Sequence, residues 1–332
     1  MDNFVNTAIG DQTALYYASQ SEKRAVRRAA WAVTVPGIVF FIVNIFLGEI
    51  IFLTAKRFGV TPQEIKEFLS DPAILQILSV ILSITLLTVP FIICAKIMGE
   101  KISSLVPLTK PESDNNFAFF LFGVGFCVFA NIAVSAAGRI FQSFGIDYSV
   151  SRSEDPEGIF GFLLVIISTA VVPALVEEFA YRGIVLGLLK PFGEAFAIFG
   201  SAAAFGLLHG NFEQIPFAFL VGLVLGFVRV KTGSILICMA IHATNNLIAV
   251  LSSYSSALPT AAVNLAYTLY VVAALTLAVL GVAFLKQKNS FKLATANTVN
   301  PTKRIYADFF FSPAFIIFTL LFLFKAVLYM FM

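Results

Sequence analysis

The chain has 332 residues, 59% of them hydrophobic and only 12% charged, with a net charge of +3 and a mean hydropathy of +0.91. A water-soluble domain carries about 25% charged residues, so most of this surface needs lipid around it. That excludes a cytosolic enzyme, a secreted disulfide scaffold and a nucleic-acid-binding domain, and predicts an all-α, polytopic transmembrane helical bundle with the lipid bilayer as its first partner.

Residues 1–29 are polar, lack the apolar core of a cleavable signal peptide, and are expected to form a cytoplasmic N-terminal segment. Apolar runs follow at Trp31–Thr54, Ala73–Ala95, Phe117–Ala137, Ile159–Leu189, Glu194–His209, Ile215–Val230, Ile235–Leu251, Ala261–Leu285 and Phe309–Met330. They predict nine spans, or eight if one short run fails. The predicted organisation is N-terminal transmembrane helices over 30–150, a core over 155–255, a further helix over 256–285, a polar cytoplasmic linker over 286–308 and a last helix over 309–332.

Lysine and arginine set the orientation. With the N-terminus inside, 16 of the 22 fall on inner connections: Lys23–Arg28, Lys96–Lys110, Arg182–Lys190, Arg229–Lys231 and Lys286–Arg304. Only Lys56, Arg57, Lys66, Arg139 and Arg152 fall outside, and Lys325 lies within the last run. The charge bias therefore predicts a cytoplasmic N-terminus and an external C-terminus. A bacterial plasma membrane is the expected location. Cys94, Cys127 and Cys238 sit in apolar stretches without CxxC spacing and read as small buried hydrophobes.

Ionisable groups inside spans cost roughly 2.5–3.5 kcal/mol each on insertion scales, so each needs a reason. They concentrate between Glu177 and Asn246, a stretch that holds both histidines of the chain. At about 100° per residue Glu178 and Arg182 share a helix face, which predicts an ion pair and leaves Glu177 free to point elsewhere. Phe205 and His209 share a face, as do His242 and Asn246. Asn245, about 100° round the helix, reads as packing or capping. Glu177 is 13 residues before Lys190, His209 is 15 after Glu194, and His242 is 11 after Lys231. At 1.5 Å per residue the three lie roughly 16 to 23 Å from the inner side, within about 6 Å of one another. Pro173, one turn before Glu177, is expected to kink its span and free carbonyls near the site. Glu49 and Glu213, near span ends, read as solvated, and Cys238, one turn before His242, as a buried thiol.

A carboxylate, two imidazoles and an amide at one depth suit hydrolysis. The glutamate can take a proton from water that a histidine holds, while the second histidine and the amide donate to the oxyanion. The same groups suit a zinc site with Glu177, His209 and His242 as ligands and one position left for water. The HExxH signature is absent. Spacing alone leaves both open.

The motifs Glu177-Glu178-x-x-x-Arg182, Phe205-x-x-x-His209 and His242-x-x-x-Asn246 resemble the three signatures of the CAAX-processing and bacteriocin-processing intramembrane protease family (CPBP, formerly Abi), best known for the type II CAAX prenyl endopeptidases. The resemblance covers about residues 155–255. It implies an endopeptidase acting on a membrane-associated or C-terminal, CAAX-like peptide or protein substrate within the bilayer. Carried over, Glu177 would activate water with His209, His242 and Asn246 would stabilise the oxyanion, Glu178 and Arg182 would form a supporting ion pair, and Phe205 would pack against the site. The expectation is a metal-free mechanism without a cofactor, with zinc on Glu177, His209 and His242 as the alternative. A prenylated substrate is not implied, because the spans outside the core match no particular subfamily. Two other classes compete. A proton-coupled transporter would use the same groups as a relay, but the paired helix interruptions it calls for are not visible. A non-catalytic bacteriocin-immunity or scaffold protein would keep the motifs as architecture.

Overall fold

The computed structural model describes residues 2–111, 115–146, 155–254 and 259–331, with side chains from residue 12 onward. Arg152, placed on the outer side by the charge argument, lies outside the described residues. The described residues form helices and no strands: α1 (Asp2–Arg57), α2 (Pro62–Phe68), α3 (Pro72–Ile97), α4 (Ile102–Leu105), α5 (Asn116–Ser143) and α6, a continuous helical run over Gly158–Phe192. Then come α7 (Glu194–Leu208), α8 (Gln214–Thr232), α9 (Leu236–Ser253), α10 (Thr260–Gln287), α11 (Thr302–Phe310) and α12 (Pro313–Tyr329).

Local chemistry sets several of the starts. Thr61 accepts from the Glu64 backbone N–H while its own N–H donates to the Glu64 carboxylate, a reciprocal cap for α2. Asp71 accepts from the backbone of Ala73 and Ile74 and opens α3, with Pro72 at the position where a missing N–H costs nothing. The polar N-terminal segment is helical and continuous with the first span, so α1 projects well past any bilayer.

Among the described residues seven helices are long and apolar enough to cross a membrane, or eight if α11 and α12, bent by 56° at their junction, count as one span. With α11 and α12 as one span, the count is eight, the lower of the two expected, and not nine. The run Glu194–His209 accounts for the difference: α7 has 15 residues, about 22 Å of helix, against a hydrocarbon core of about 30 Å. It stops because Gly210 takes a left-handed φ of +61° and turns the chain back into α8. α7 and α8 then pack closely as a hairpin, with Gly222 so near Ala202 that an added Cβ would sit 3.0 Å from its Cα. Because both ends of this hairpin lie at one side, the shortened helix leaves the direction of every later helix unchanged.

The connections richest in lysine and arginine meet on one face. Glu22 accepts from the backbone N–H groups of Val299 and Asn300, and Lys23 and Arg27 pair with Asp308 at 3.9 and 3.5 Å. Glu194 accepts from the Ala294 N–H, Lys231 donates to the Lys292 carbonyl, and Ser234 donates to the Thr109 carbonyl at 2.7 Å. Connections that the charge count assigned to one side are thus tied to one another.

Two apolar cores flank the bundle's polar interior. One joins α1, α3, α6, α7 and the phenylalanines of α11 and α12, including Phe309, Phe318 and Phe322, all fully buried. The other joins α5, α8, α9 and the end of α10 around Phe119, Leu225 and Ile241. Cys127 and Cys238 are buried and Cys94 is half-buried, and all three are free thiols.

Candidate active site

The site begins with the backbone of α6. Its α-helical stretches are interrupted by two π-helical segments, Ile166–Val171 and Glu178–Val185, a widening often found where a helix carries function. Pro173 follows the first of these. It has no N–H to offer the carbonyl of Thr169, four residues back. That carbonyl instead accepts from the side-chain amide of Asn246 on α9 at 3.1 Å. Asn245 donates in turn to the Asn246 carbonyl oxygen at 3.1 Å. One proline therefore makes the acceptor that fixes an asparagine on another helix.

The glutamates divide. Glu178 and Arg182 are both fully buried and pair at 3.2 Å. The same oxygen of Glu178 accepts from Nδ1 of His242 at 2.9 Å. With Nδ1 donating, the other ring nitrogen, Nε2, points toward Glu177, 3.8 Å from its Oε2. That is too long for a direct hydrogen bond. Glu177 itself keeps 16% of its side-chain surface exposed, in contrast to the sealed Glu178.

His209 closes α7. Its Nδ1 lies 3.0 Å from the Phe205 carbonyl. A carbonyl can only accept, so Nδ1 carries the hydrogen and, in the neutral ring, Nε2 holds the lone pair. The Phe205 ring meets His209 edge-on at 5.0 Å and His242 at 6.2 Å, while the Arg182 guanidinium lies 4.2 Å from its centroid on a cation–π contact. Tyr181, fully buried, packs on the same ring at 5.2 Å. Phe205 is thus a plate that touches the buried guanidinium and both imidazoles.

Glu177, Phe205, His209, His242 and Asn246 line one cavity of about 420 Å³. Glu178 and Arg182 lie behind its wall. Asn245, read from sequence as packing, also lines it. Sequence reasoning missed a further wall: Gln76, Ser79 and Ser83 of α3, together with Ser168 of α6. Their signal was present as three polar side chains at helical spacing on one face of an apolar span. Ser168 donates to the side-chain carbonyl oxygen of Gln76 at 2.6 Å, which ties α6 to α3 at this wall.

Among the described residues no three His, Cys, Asp or Glu side chains converge as a metal ion requires. Nδ1 of His242 is engaged by Glu178 and Nδ1 of His209 by the Phe205 carbonyl, which leaves Nε2 of each ring as the nitrogen open to chemistry.

Comparison with curated proteins yields no match, and comparison with solved structures yields none either. The stretch from 159 to 248 carries the buried ion pair, both imidazoles and both asparagines, and this part of the integral membrane protein matches the family profile described as type II CAAX prenyl endopeptidase Rce1-like, in line with the resemblance its motifs carry.

Proposed function

We propose that the chain is an intramembrane endopeptidase that hydrolyses a peptide bond of a membrane-associated or C-terminal substrate without a metal. The observation that carries this reading is the arrangement around His242. One ring nitrogen is held by the buried Glu178, and the other faces Glu177 in a cavity that His209 also lines.

Glu177 takes a proton from a water held by the lone pair of His209 Nε2, and the hydroxide attacks the carbonyl carbon of the scissile bond. Negative charge then develops on the carbonyl oxygen. His242 already donates Nδ1–H to Glu178, so it donates to that oxygen through Nε2 as an imidazolium that carries its second proton before the substrate binds and keeps it throughout the reaction. The second N–H of Asn246, the one not given to Thr169, supplies another donor. Glu177 passes its proton to the departing amine, the C–N bond breaks, and a carboxylate and an amine remain. Arg182 and Phe205 act through their neighbours: they fix Glu178 and both imidazoles. The closed floor formed by Phe205, Tyr181 and Arg182 favours this chemistry over proton-coupled transport, which needs a route to both sides.

A cleavage assay with purified protein on membrane-tethered and C-terminal CAAX peptides tests the proposal. Glu177→Gln and His209→Ala should each lower kcat by about 100-fold or more, the scale expected for loss of a general base. Full turnover in both variants would overturn it, and wild-type turnover should survive exhaustive chelation.

A further inference from the structure

Each helix around the cavity starts or ends at the basic face, so position along a helix reports depth from that face. α3 ends at the basic face, and its lining residues Gln76, Ser79 and Ser83 come from its first half. α6 also ends there, at Lys190, and contributes nothing beyond Glu177. α8 ends there at Arg229 and Lys231 and lines the cavity only from Gln214 to Val221. α7 and α9 run the other way, starting at the basic face. α7 contributes Phe205 and His209 at its far end, and α9 contributes only from His242 onward. Five helices of both polarities therefore give the same answer: the hollow extends from the imidazoles and Glu177 away from the basic face. On the basic side it is shut by the buried Glu178, Tyr181, Arg182 and Phe205.

The excess of lysine and arginine marks the cytoplasmic side of a membrane protein. We infer that the cavity receives its substrate from the non-cytoplasmic side, as a peptide segment presented at that surface. The lining fits a peptide: serine hydroxyls and the side-chain amides of Gln76 and Asn245 can meet the donors and acceptors of an extended backbone, and Phe217, Ala218, Val221 and Ala249 can meet its apolar side chains. The inference rests on the proposed hydrolysis for what the substrate undergoes, and on geometry and charge alone for where it enters.

Site-directed labelling in the full chain tests the point of entry without any cleavage. Ser83→Cys in the cavity wall is compared with Lys66→Cys on α2, a marker for the face opposite the basic connections, and Lys288→Cys on the basic face. A membrane-impermeant maleimide is applied to intact cells and to inverted vesicles, with the wild-type chain as the background. Ser83→Cys should take up label with Lys66→Cys from outside intact cells and lose it when only the cytoplasmic face is presented. Labelling of Ser83→Cys together with Lys288→Cys would overturn the inference. So would markers showing the basic face outside, or a Ser83→Cys reactive only after denaturation. None of these results touches the cleavage assay with Glu177→Gln, so failure of sidedness and failure of hydrolysis are read separately.

Discussion

Glu178 makes two commitments with one oxygen, to Arg182 at 3.2 Å and to His242 at 2.9 Å, and both carboxylate and guanidinium are fully buried. Removing one partner of a buried pair costs about 3–5 kcal/mol, because the survivor is left charged and desolvated. Glu178→Ala is therefore expected to lower the thermal midpoint sharply in detergent. Replacing both members, as Glu178→Leu with Arg182→Met, removes both buried charges and should restore most of that stability. It should not restore cleavage, since His242 still lacks the acceptor that orients its ring. Recovery of activity along with stability in the double variant would show that Glu178 only holds the helices together. The cation–π contact of Arg182 with Phe205 gives the same residue a second role as the support of the plate on which both imidazoles rest.

At the scale of an element, α6 shows a backbone irregularity turned into a tertiary contact. Pro173→Ala would give the Thr169 carbonyl a possible donor in its own helix and compete with Asn246 for it. A proline inside a helix costs about 3 kcal/mol relative to alanine, so stability should hold or rise. The released Asn246 would lose its fixed rotamer, and kcat should fall about 10- to 100-fold, as for a catalytic group displaced by a fraction of an ångström to one ångström. A stable variant with undiminished kcat would separate the proline from the site. Gly210 works at the same scale in α7. Its φ of +61° ends the helix just after His209, and a Cβ there would come within 2.7 Å of Cδ of Lys325. Gly210→Ala is expected to cost about 1–2 kcal/mol from the left-handed backbone, measured as a lowered thermal midpoint. The lysine stem can swing aside, so the backbone conformation carries most of the penalty.

For the whole molecule, the first and last parts of the chain are held together at the basic face. Asp308 is nearly buried and gathers Lys23, Arg27 and Arg304 within 4 Å, and Asn300 is bonded to Ser19 and Glu22. The cations around Asp308 are between 30% and 47% exposed, so solvent screening holds the worth of the cluster to about 1–2 kcal/mol. Asp308→Asn should lower the thermal midpoint by a few degrees and make it less sensitive to added salt. An unchanged salt response would mean that packing of Phe309, Phe318 and Phe322 against α1 alone anchors α12.

The sequence by itself determined the solvent, the fold class and which ionisable residues lie within apolar spans. An apolar excess has one resolution in water and lipid, and carboxylates or imidazoles within apolar spans are too costly to be incidental. The i, i+4 spacing was enough to pair Glu178 with Arg182, since that contact lies within one helical run. Tertiary structure decided the rest. Only it could show that the run ending at His209 is too short to span, because a left-handed glycine and a packed hairpin set its length. Only it could bring Gln76, Ser79 and Ser83 to the site from a helix about 100 residues away. It also gave Glu178 a second partner and Asn246 a freed carbonyl. Such contacts run between helices far apart in the chain, and no periodicity along a single helix encodes which neighbour it will meet.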